Sequence, residues 1–266
     1  MDKLSSMMNL PENTAEQSFD FSSPEYLSNQ CAVYNRSVGY LNDLDGYDCP
    51  VCKNKGRLEV IVNGEIVMRL CEKCTPIRRS LKNLKESGLD DLDFNSFEVK
   101  DEWQKRLKET VLNFVHNTKG EWLFLGGQSG CGKTHLCSAA VRYLVYKYSI
   151  KGVVFKWQED AKRLKQLIND STYTQTIDSF KNVKVLYIDD FFKCKRGEKP
   201  TPADINLAFE LIDYRYTHKL LTIISSELSL DEIIGFDEAL GGRICEKAKA
   251  FTAYIKRDRE KNYRLK

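Results

Sequence analysis

Long apolar runs are missing from this 266-residue chain. No stretch approaches the roughly eighteen consecutive apolar residues of a membrane-spanning helix. Residues 1–30 also lack the basic start and apolar middle of a signal peptide, so the expectation is a cytoplasmic protein with no membrane partner. An excess of one charge is missing too: 41 Lys and Arg against 38 Asp and Glu leave a net charge of +3, too small to argue for a nucleic-acid partner on its own. No base-reading motif is present, so any DNA binding is expected to be backbone-directed and salt-sensitive. The 42% hydrophobic and 30% charged content is that of an ordinary globular protein, and the length suits one main domain with a small second one.

Charge is unevenly placed. Residues 1–30 carry five acids and one base, whereas residues 241–266 carry nine bases and three acids. Such a gradient suits a front end that meets protein and a back end that lies near polyanion, and it equally suits a solvated tail. Nine cysteines would mean disulfides in a small secreted chain, but their clustering here points to metal. Cys49 and Cys52 form one C-x2-C pair and Cys71 and Cys74 another, with eighteen residues between the pairs. LEVIV and EIVMRL flank Asn63-Gly64, a hairpin signal that returns the second pair to the first and gathers four thiolates for a structural Zn2+. Reduced core cysteines or an iron-sulfur cluster are the alternatives; a catalytic zinc is excluded by four protein ligands. Ahead of this module, residues 1–30 read as a polar segment, either flexible or forming short helices that order on a partner.

The centre of the chain is GEWLFLGGQSGCGKTH at 120–135. Trp122–Leu125 read as a buried strand feeding the full G-x-x-x-x-G-K-T pattern from Gly127 to Thr134, and a helix follows. In such a loop the amides of Gly127, Gln128, Ser129, Gly130, Cys131 and Gly132 cradle phosphates. Lys133 reaches the β- and γ-phosphates of ATP, and Thr134 is placed for Mg2+. Cys131 and Cys137 read as unliganded. A second element, VKVLYIDD at 183–190, puts Asp189 at the end of a central strand as a Mg2+ ligand, with Asp190 as the candidate general base.

Amphipathic helices are expected over 99–116, 158–169 and 204–216, and strands over 152–156 and 222–226. Residues 229–249 read as helix with a Gly-Gly break at 241–242, which would leave Arg243 exposed at a helix start. The alternation predicts an α/β fold: a central parallel sheet flanked by helices, with a small zinc module ahead of it. The boundary is expected near residue 85, giving a front region at 1–85 (zinc module about 45–78) and an ATPase domain at 86–266. Phe94 and Phe97 are candidates for packing on adenine or in the core. Lysines after Phe192, with Arg196, are candidates for DNA-backbone contact or for a solvated loop. Ser225, Ser226 or Glu227 could feel the γ-phosphate.

These motifs carry a resemblance to the bacterial and phage replicative helicase loaders of the DnaC/DnaI-like type. Those are AAA+ P-loop ATPases, in a clade shared with IstB-like transposition ATPases. GKTHL at 132–136, VLYIDDFF, FELIDYRY followed by TIISSE, and Gly-Gly-Arg-Ile at 241–244 match in order and spacing, across about residues 75–264. The resemblance implies Lys133 and Thr134 as Walker A residues, Asp189 and Asp190 as the Walker B pair, and Arg243 as an arginine finger acting in trans. Arg215 becomes a second intersubunit arginine, and His135 a clade marker beside the bound nucleotide. Glu227 stands where the family has Asn, which leaves Glu227 and Ser226 both as sensor candidates; Arg264 is a candidate arginine sensor beside a reduced lid. The implied function is ATP-dependent loading of a hexameric replicative helicase onto single-stranded DNA, with ATP/ADP, Mg2+ and Zn2+ as cofactors. Self-association through the ATP sites and contact with an initiator protein go with it. A DNA-binding transposition regulator is the alternative, and a metabolic phosphate-loop kinase fits poorly because it needs a second substrate pocket.

Overall fold

The computed structural model describes residues 20–195 and 198–265. Expectations for residues 1–19 and for Arg196 lie outside the described residues. The chain opens with α1 (Pro24–Arg36) and α2 (Leu41–Asp45), followed by the antiparallel hairpin β1 (Arg57–Val62) and β2 (Glu65–Leu70). Asn63 and Gly64 both take positive φ, 53° and 81°, which is the backbone a two-residue hairpin turn demands. The Asn35 amide of α1 clasps β1 by accepting the Glu59 N–H at 3.0 Å and donating to the Glu59 carbonyl at 2.8 Å.

The body comprises α3 (Thr75–Glu86), α4 (Glu102–Asn117), β3 (Leu123–Gly127), α5 (Lys133–Tyr148) and β4 (Gly152–Lys156). A π-helical turn at Trp157–Ala161 leads into α6 (Lys162–Gln166), then α7 (Tyr173–Lys181), β5 (Val185–Asp189), α8 (Pro202–Thr217) and β6 (Leu221–Ser225). It closes with α9 (Leu230–Phe236), α10 (Glu238–Ala248) and β7 (Thr252–Ile255). Five strands form a parallel sheet in the order β4-β5-β6-β3-β7. Alternate residues of each strand enter opposite cores. Leu123, Leu125, Val185, Tyr187 and Ile223 face α3, α4 and α5, while Phe124, Phe155, Leu186, Ile188 and Ile224 face the helices from α6 to α10. A sheet buried on both faces explains why these strands are apolar throughout rather than alternating in polarity. The expected α/β architecture is present, and beyond α10 only β7 and two short 3-10 turns follow in the described residues.

Two differences from the sequence reading have clear physical causes. The helical stretch at 229–249 breaks at Asp237, whose carboxylate caps α10 by accepting the Leu240 N–H at 2.7 Å, and the helix runs straight through Gly241 and Gly242. Gly241 is a packing residue: a Cβ there would meet the Ile234 side chain at 2.6 Å, so its absence lets α9 lie against α10. The helix α3, which falls in the front region by the boundary expected near residue 85, puts Ile77, Leu81 and Leu84 in the body core. Its Ser80 hydroxyl accepts the Gly152 N–H at 2.9 Å, and its Asn83 amide oxygen accepts the Val154 N–H at 2.8 Å. These side chains satisfy the outward donors of β4, an edge strand otherwise open to another chain.

Candidate nucleotide site and thiolate cluster

The turn from β3 into α5 is built on glycine. Gly127 has φ +100°, and a Cβ there would sit 2.1 Å from the Ile255 carbonyl oxygen. Gly130, at φ +72°, would drive a Cβ to 2.0 Å from Asn262 Oδ1. The loop therefore turns tightly and lies directly under the chain that follows β7. Lys133 Nζ, buried at the start of α5, donates to the carbonyls of Gly127 at 2.8 Å and Gln128 at 2.7 Å, so the ammonium sits within the curve of the loop.

A cavity of about 450 Å3 opens on this loop. Its phosphate side is lined by Ser129, Gly130, Gly132, Lys133 and Thr134, and its outer side by Asp190, Lys193 and Glu227. The remaining wall is Leu92, Ser96, Phe97, Glu98, His135, Tyr263 and Arg264. Gly127, Gln128 and Cys131 shape the loop without lining the cavity. The Cys131 thiol is fully buried, and burial pushes it and the Cys137 thiol up.

Asp189 is held by a hub that the sequence concealed. Its Oδ1 accepts from the hydroxyls of Thr134 at 3.0 Å, Ser225 at 2.8 Å and Tyr187 at 2.5 Å. Ser225 also accepts the Asp190 N–H at 3.1 Å, tying the second carboxylate to the same strand end. Tyr187 is completely enclosed, and burial together with the neighbouring Cys137 and Asp189 pushes its phenol well up, so it stays a donor. Asp190, in the left-handed region at φ 53°, pairs with Lys193 at 2.7 Å, and Lys193 reaches Glu227 at 3.1 Å. Burial opposes the Lys193 charge, but the two carboxylates outweigh it and hold the ammonium above its ordinary value. Lys193 thus lines the nucleotide cavity, and it also borders a second surface cavity lined by Cys194, Lys195 and Lys199.

One of the two sensor candidates, Ser226, lies off the cavity. Ser226 is fully buried, donates to the Phe191 carbonyl at 2.7 Å and accepts the Leu228 N–H at 3.1 Å, so it braces a turn away from the cavity. Ser225 is the serine that touches the acidic site, and Glu227 is the residue that lines the cavity. Of the two phenylalanines, Phe97 lies edge-on to His135 with ring centroids 5.3 Å apart and lines the cavity, whereas Phe94 packs on Tyr143. His135 Nε2 lies 2.7 Å from the Asp93 carbonyl, which fastens the 91–98 loop to the phosphate-loop helix.

The segment after β7 completes the wall of the cavity. Gln128 N–H bonds to the Ile255 carbonyl at 2.8 Å and Tyr263 N–H to the Gly130 carbonyl at 2.9 Å. The Tyr263 hydroxyl donates to the Glu98 carbonyl at 3.1 Å and accepts from Gln104. Tyr263 was not legible as a site residue, because only the pairing of β7 with β3 brings it there. Arg264 does line the cavity.

The two intersubunit arginines fare differently. Arg215 is corrected: it has no exposed surface and cannot reach a neighbour. Its guanidinium donates to the carbonyls of Phe180, Lys181 and Val183 at 3.0, 2.9 and 2.9 Å, to Leu221 at 2.5 Å and to Thr222 Oγ1 at 2.9 Å. Burial pushes it down to about 9, still above neutral pH, so it keeps its charge at the end of α7. Arg243 lies in the middle of α10, its side chain 28% exposed, 2.9 Å from Asp213 and over the rings of Phe209 and Tyr216.

In the front module the four thiols of Cys49, Cys52, Cys71 and Cys74 are buried and lie within 4.8 Å of one another. Cys49 and Cys71 are 3.9 Å apart and Cys52 and Cys74 3.6 Å. A tetrahedral Zn2+ with sulfurs at about 2.3 Å would space them about 3.8 Å apart, so the cluster fits that ion. Arg78 stands beside it, bonded to both oxygens of Asp45 and donating to the Tyr47 carbonyl at 3.0 Å and to Asn54 at 3.3 Å.

A family model for IstB-like ATP-binding proteins matches residues 51–248. The uncharacterised protein YqaM of Bacillus subtilis is 32% identical over 185 residues, which is 69% of this chain and 57% of YqaM. The phage-like element PBSX protein XkdC of the same organism is 31% identical over 231 residues, 81% of this chain and 85% of XkdC. Among solved structures, the DnaC helicase loader superposes with a TM-score of 0.51 at 26% identity, covering 63% of this chain and 97% of that one. This chain therefore spans little more than half of YqaM but most of XkdC. A phosphate loop, a paired acidic strand end and a parallel sheet in this setting lead to one assignment: the chain belongs to the IstB-like ATP-binding proteins, within the AAA+ ATPases.

Proposed function

We propose that this protein is an ATP-dependent loader that places a hexameric replicative DNA helicase on single-stranded DNA. The observation that carries the reading is the continuity of α3. The helix starts immediately after Cys74, one of the four thiols, and ends with Ser80 and Asn83 on the edge of the ATPase sheet. A front module so joined moves with the body, as a nucleotide-controlled grip on a partner requires. Likeness to the DnaC helicase loader supports the same choice.

In this reading residues 1–85 are the helicase-gripping region, with α3 as its root in the body, and residues 86–266 are the ATPase. Lys133 holds the β- and γ-phosphates, and Thr134 and Asp189 hold Mg2+, which neutralises charge on the phosphates when bound. Asp190 orients and deprotonates water once Lys193 yields to the nucleotide. Arg243 acts across a subunit contact after leaving Asp213, so an isolated subunit hydrolyses ATP slowly. Cys49, Cys52, Cys71 and Cys74 hold a structural Zn2+. The site of action is the cytoplasm, among DNA, helicase and initiator. Among the described residues no helix is long and apolar enough to cross a membrane.

A second reading, an ATP-dependent regulator of transposition, is favoured by the description of the matching family. Purified protein mixed with the host's replicative helicase, in ATP and in ADP, separates the two. Nucleotide-dependent co-sedimentation and loading on single-stranded DNA are expected. No helicase binding in any nucleotide state, with tight transposase binding, would reverse the order. Full DNA-stimulated turnover by Arg243→Ala would remove that arginine from the mechanism.

A further inference from the structure

The front module carries a cavity of its own, about 600 Å3, between the end of α1, the start of β1 and the start of α3. Its charged lining residues are Lys55, Arg57, Arg78 and Arg79, all cations. The adjoining cavity on the other side of α2 and α3 is lined by Asp45, Asp90, Asp91 and Asp93 as well as by bases. Arg78, bonded to Asp45, borders both and divides acidic from basic ground.

The cations of the basic cavity are not equivalent. Arg78 is committed to Asp45, and the Lys55 ammonium bonds to the carbonyls of Tyr34 and Ser37 at 2.6 Å each. Arg57 and Arg79 are exposed, and neither guanidinium has an ion pair or hydrogen bond among the described residues. Tyr40 lines the same cavity with 69% of its surface in solvent. Two unengaged guanidiniums, an exposed aromatic ring and no carboxylate are what a flexible polyanion with stackable faces would select. An acidic peptide would use the guanidiniums and leave the ring idle.

We propose that this cavity binds single-stranded nucleic acid, with Arg57 and Arg79 on backbone phosphates and Tyr40 beneath a base. The choice of ligand rests on the loader reading; the location does not. Single-stranded DNA would then be held on the module that grips the helicase, placing the strand beside the ring rather than only along the ATPase body.

The test is fluorescence anisotropy of a labelled oligo-dT with full-length, metal-loaded protein across a salt titration. Substituting Arg57→Gln and Arg79→Gln together should weaken binding by about ten-fold or more and flatten the slope of log K against log salt by about 1.4. Tyr40→Ala should cost about five-fold or more with the slope kept. Arg57→Lys with Arg79→Lys should restore most of the slope, while zinc content and melting temperature stay at the wild-type values. A halogenated oligonucleotide should photocrosslink to the peptide containing Tyr40. Unchanged affinity and slope in the Gln pair, or competition by a polyglutamate peptide as effective as that by oligo-dT, would overturn the proposal. If oligo-dT binding depends on these residues but no helicase binds in any nucleotide state, the site stands and the loader reading fails. If helicase binds and the three side chains are indifferent to DNA, the reverse holds.

Discussion

Arg215 holds a positive charge in the interior with no carboxylate beside it, balanced by four carbonyl oxygens and one hydroxyl. Removing it would strand those acceptors in the dry space between α7 and β6. Arg215→Met should therefore lower unfolding free energy by about 3 kcal/mol or more, read as a reduced urea midpoint. A contact-surface arginine would lose assembly instead, at unchanged midpoint. Tyr187 makes the opposite kind of prediction. Tyr187→Phe keeps the core filled and deletes one of the three donors on Asp189, so stability should fall by only about 1 kcal/mol. The Mg2+ concentration for half-maximal turnover should rise about ten-fold with KM for ATP little changed, since outer partners tune a metal site. An unmoved Mg2+ titration would show that Thr134 and Ser225 suffice. Neither role was readable beforehand. In VKVLYIDD a tyrosine counts as one more strand-forming aromatic, and an arginine in DYRY looks like surface. Lys133 and Thr134 stand in one local glycine-loop pattern, and the fold brings Asp189, 55 residues on, to 3.0 Å from the Thr134 hydroxyl.

At the scale of elements, local signals served well and distant ones poorly. The hairpin turn, the glycine loop and the strand at 152–156 follow from neighbours a few residues apart, and they stand where expected. The Gly-Gly pair misled because glycine has two uses: it breaks helices, and it lets two of them touch, which is its use at Gly241. The closure of the nucleotide cavity by the segment after β7 rests on contacts as distant as Gln104 with Tyr263, 159 residues apart. Tyr263→Ala should leave the backbone bond to Gly130 in place and remove the ring wall. The dissociation constant for ATP should then rise about ten-fold, or about 1.4 kcal/mol, in isothermal titration. An unchanged constant would mean that Phe97 alone bounds the base side.

The whole molecule is tied together by α3, and this makes the front module and the body one mechanical unit. Zinc removal by chelation, or Cys74→Ser, should therefore lower the melting temperature of the ATPase itself by roughly 5 °C or more. Amide exchange at Gly152 and Val154, which Ser80 and Asn83 hold, should quicken with it. An independent front module would leave both untouched. The boundary expected near residue 85 put α3 with the front, and only packing reveals that one side of it lies in the body core.

The pairing of β7 with β3 also sets an order of events in synthesis. The phosphate loop leaves the ribosome early, yet the floor under Gly130 is Asn262 and the wall beside Phe97 is Tyr263. A nascent chain stopped at α10 would have the glycine loop and both aspartates but no edge strand beside β3, and the base side of its cavity would stand open. A chain stopped at α10 is therefore expected to hold ATP more weakly than one made through residue 263, because the wall that Tyr263 supplies has yet to be added.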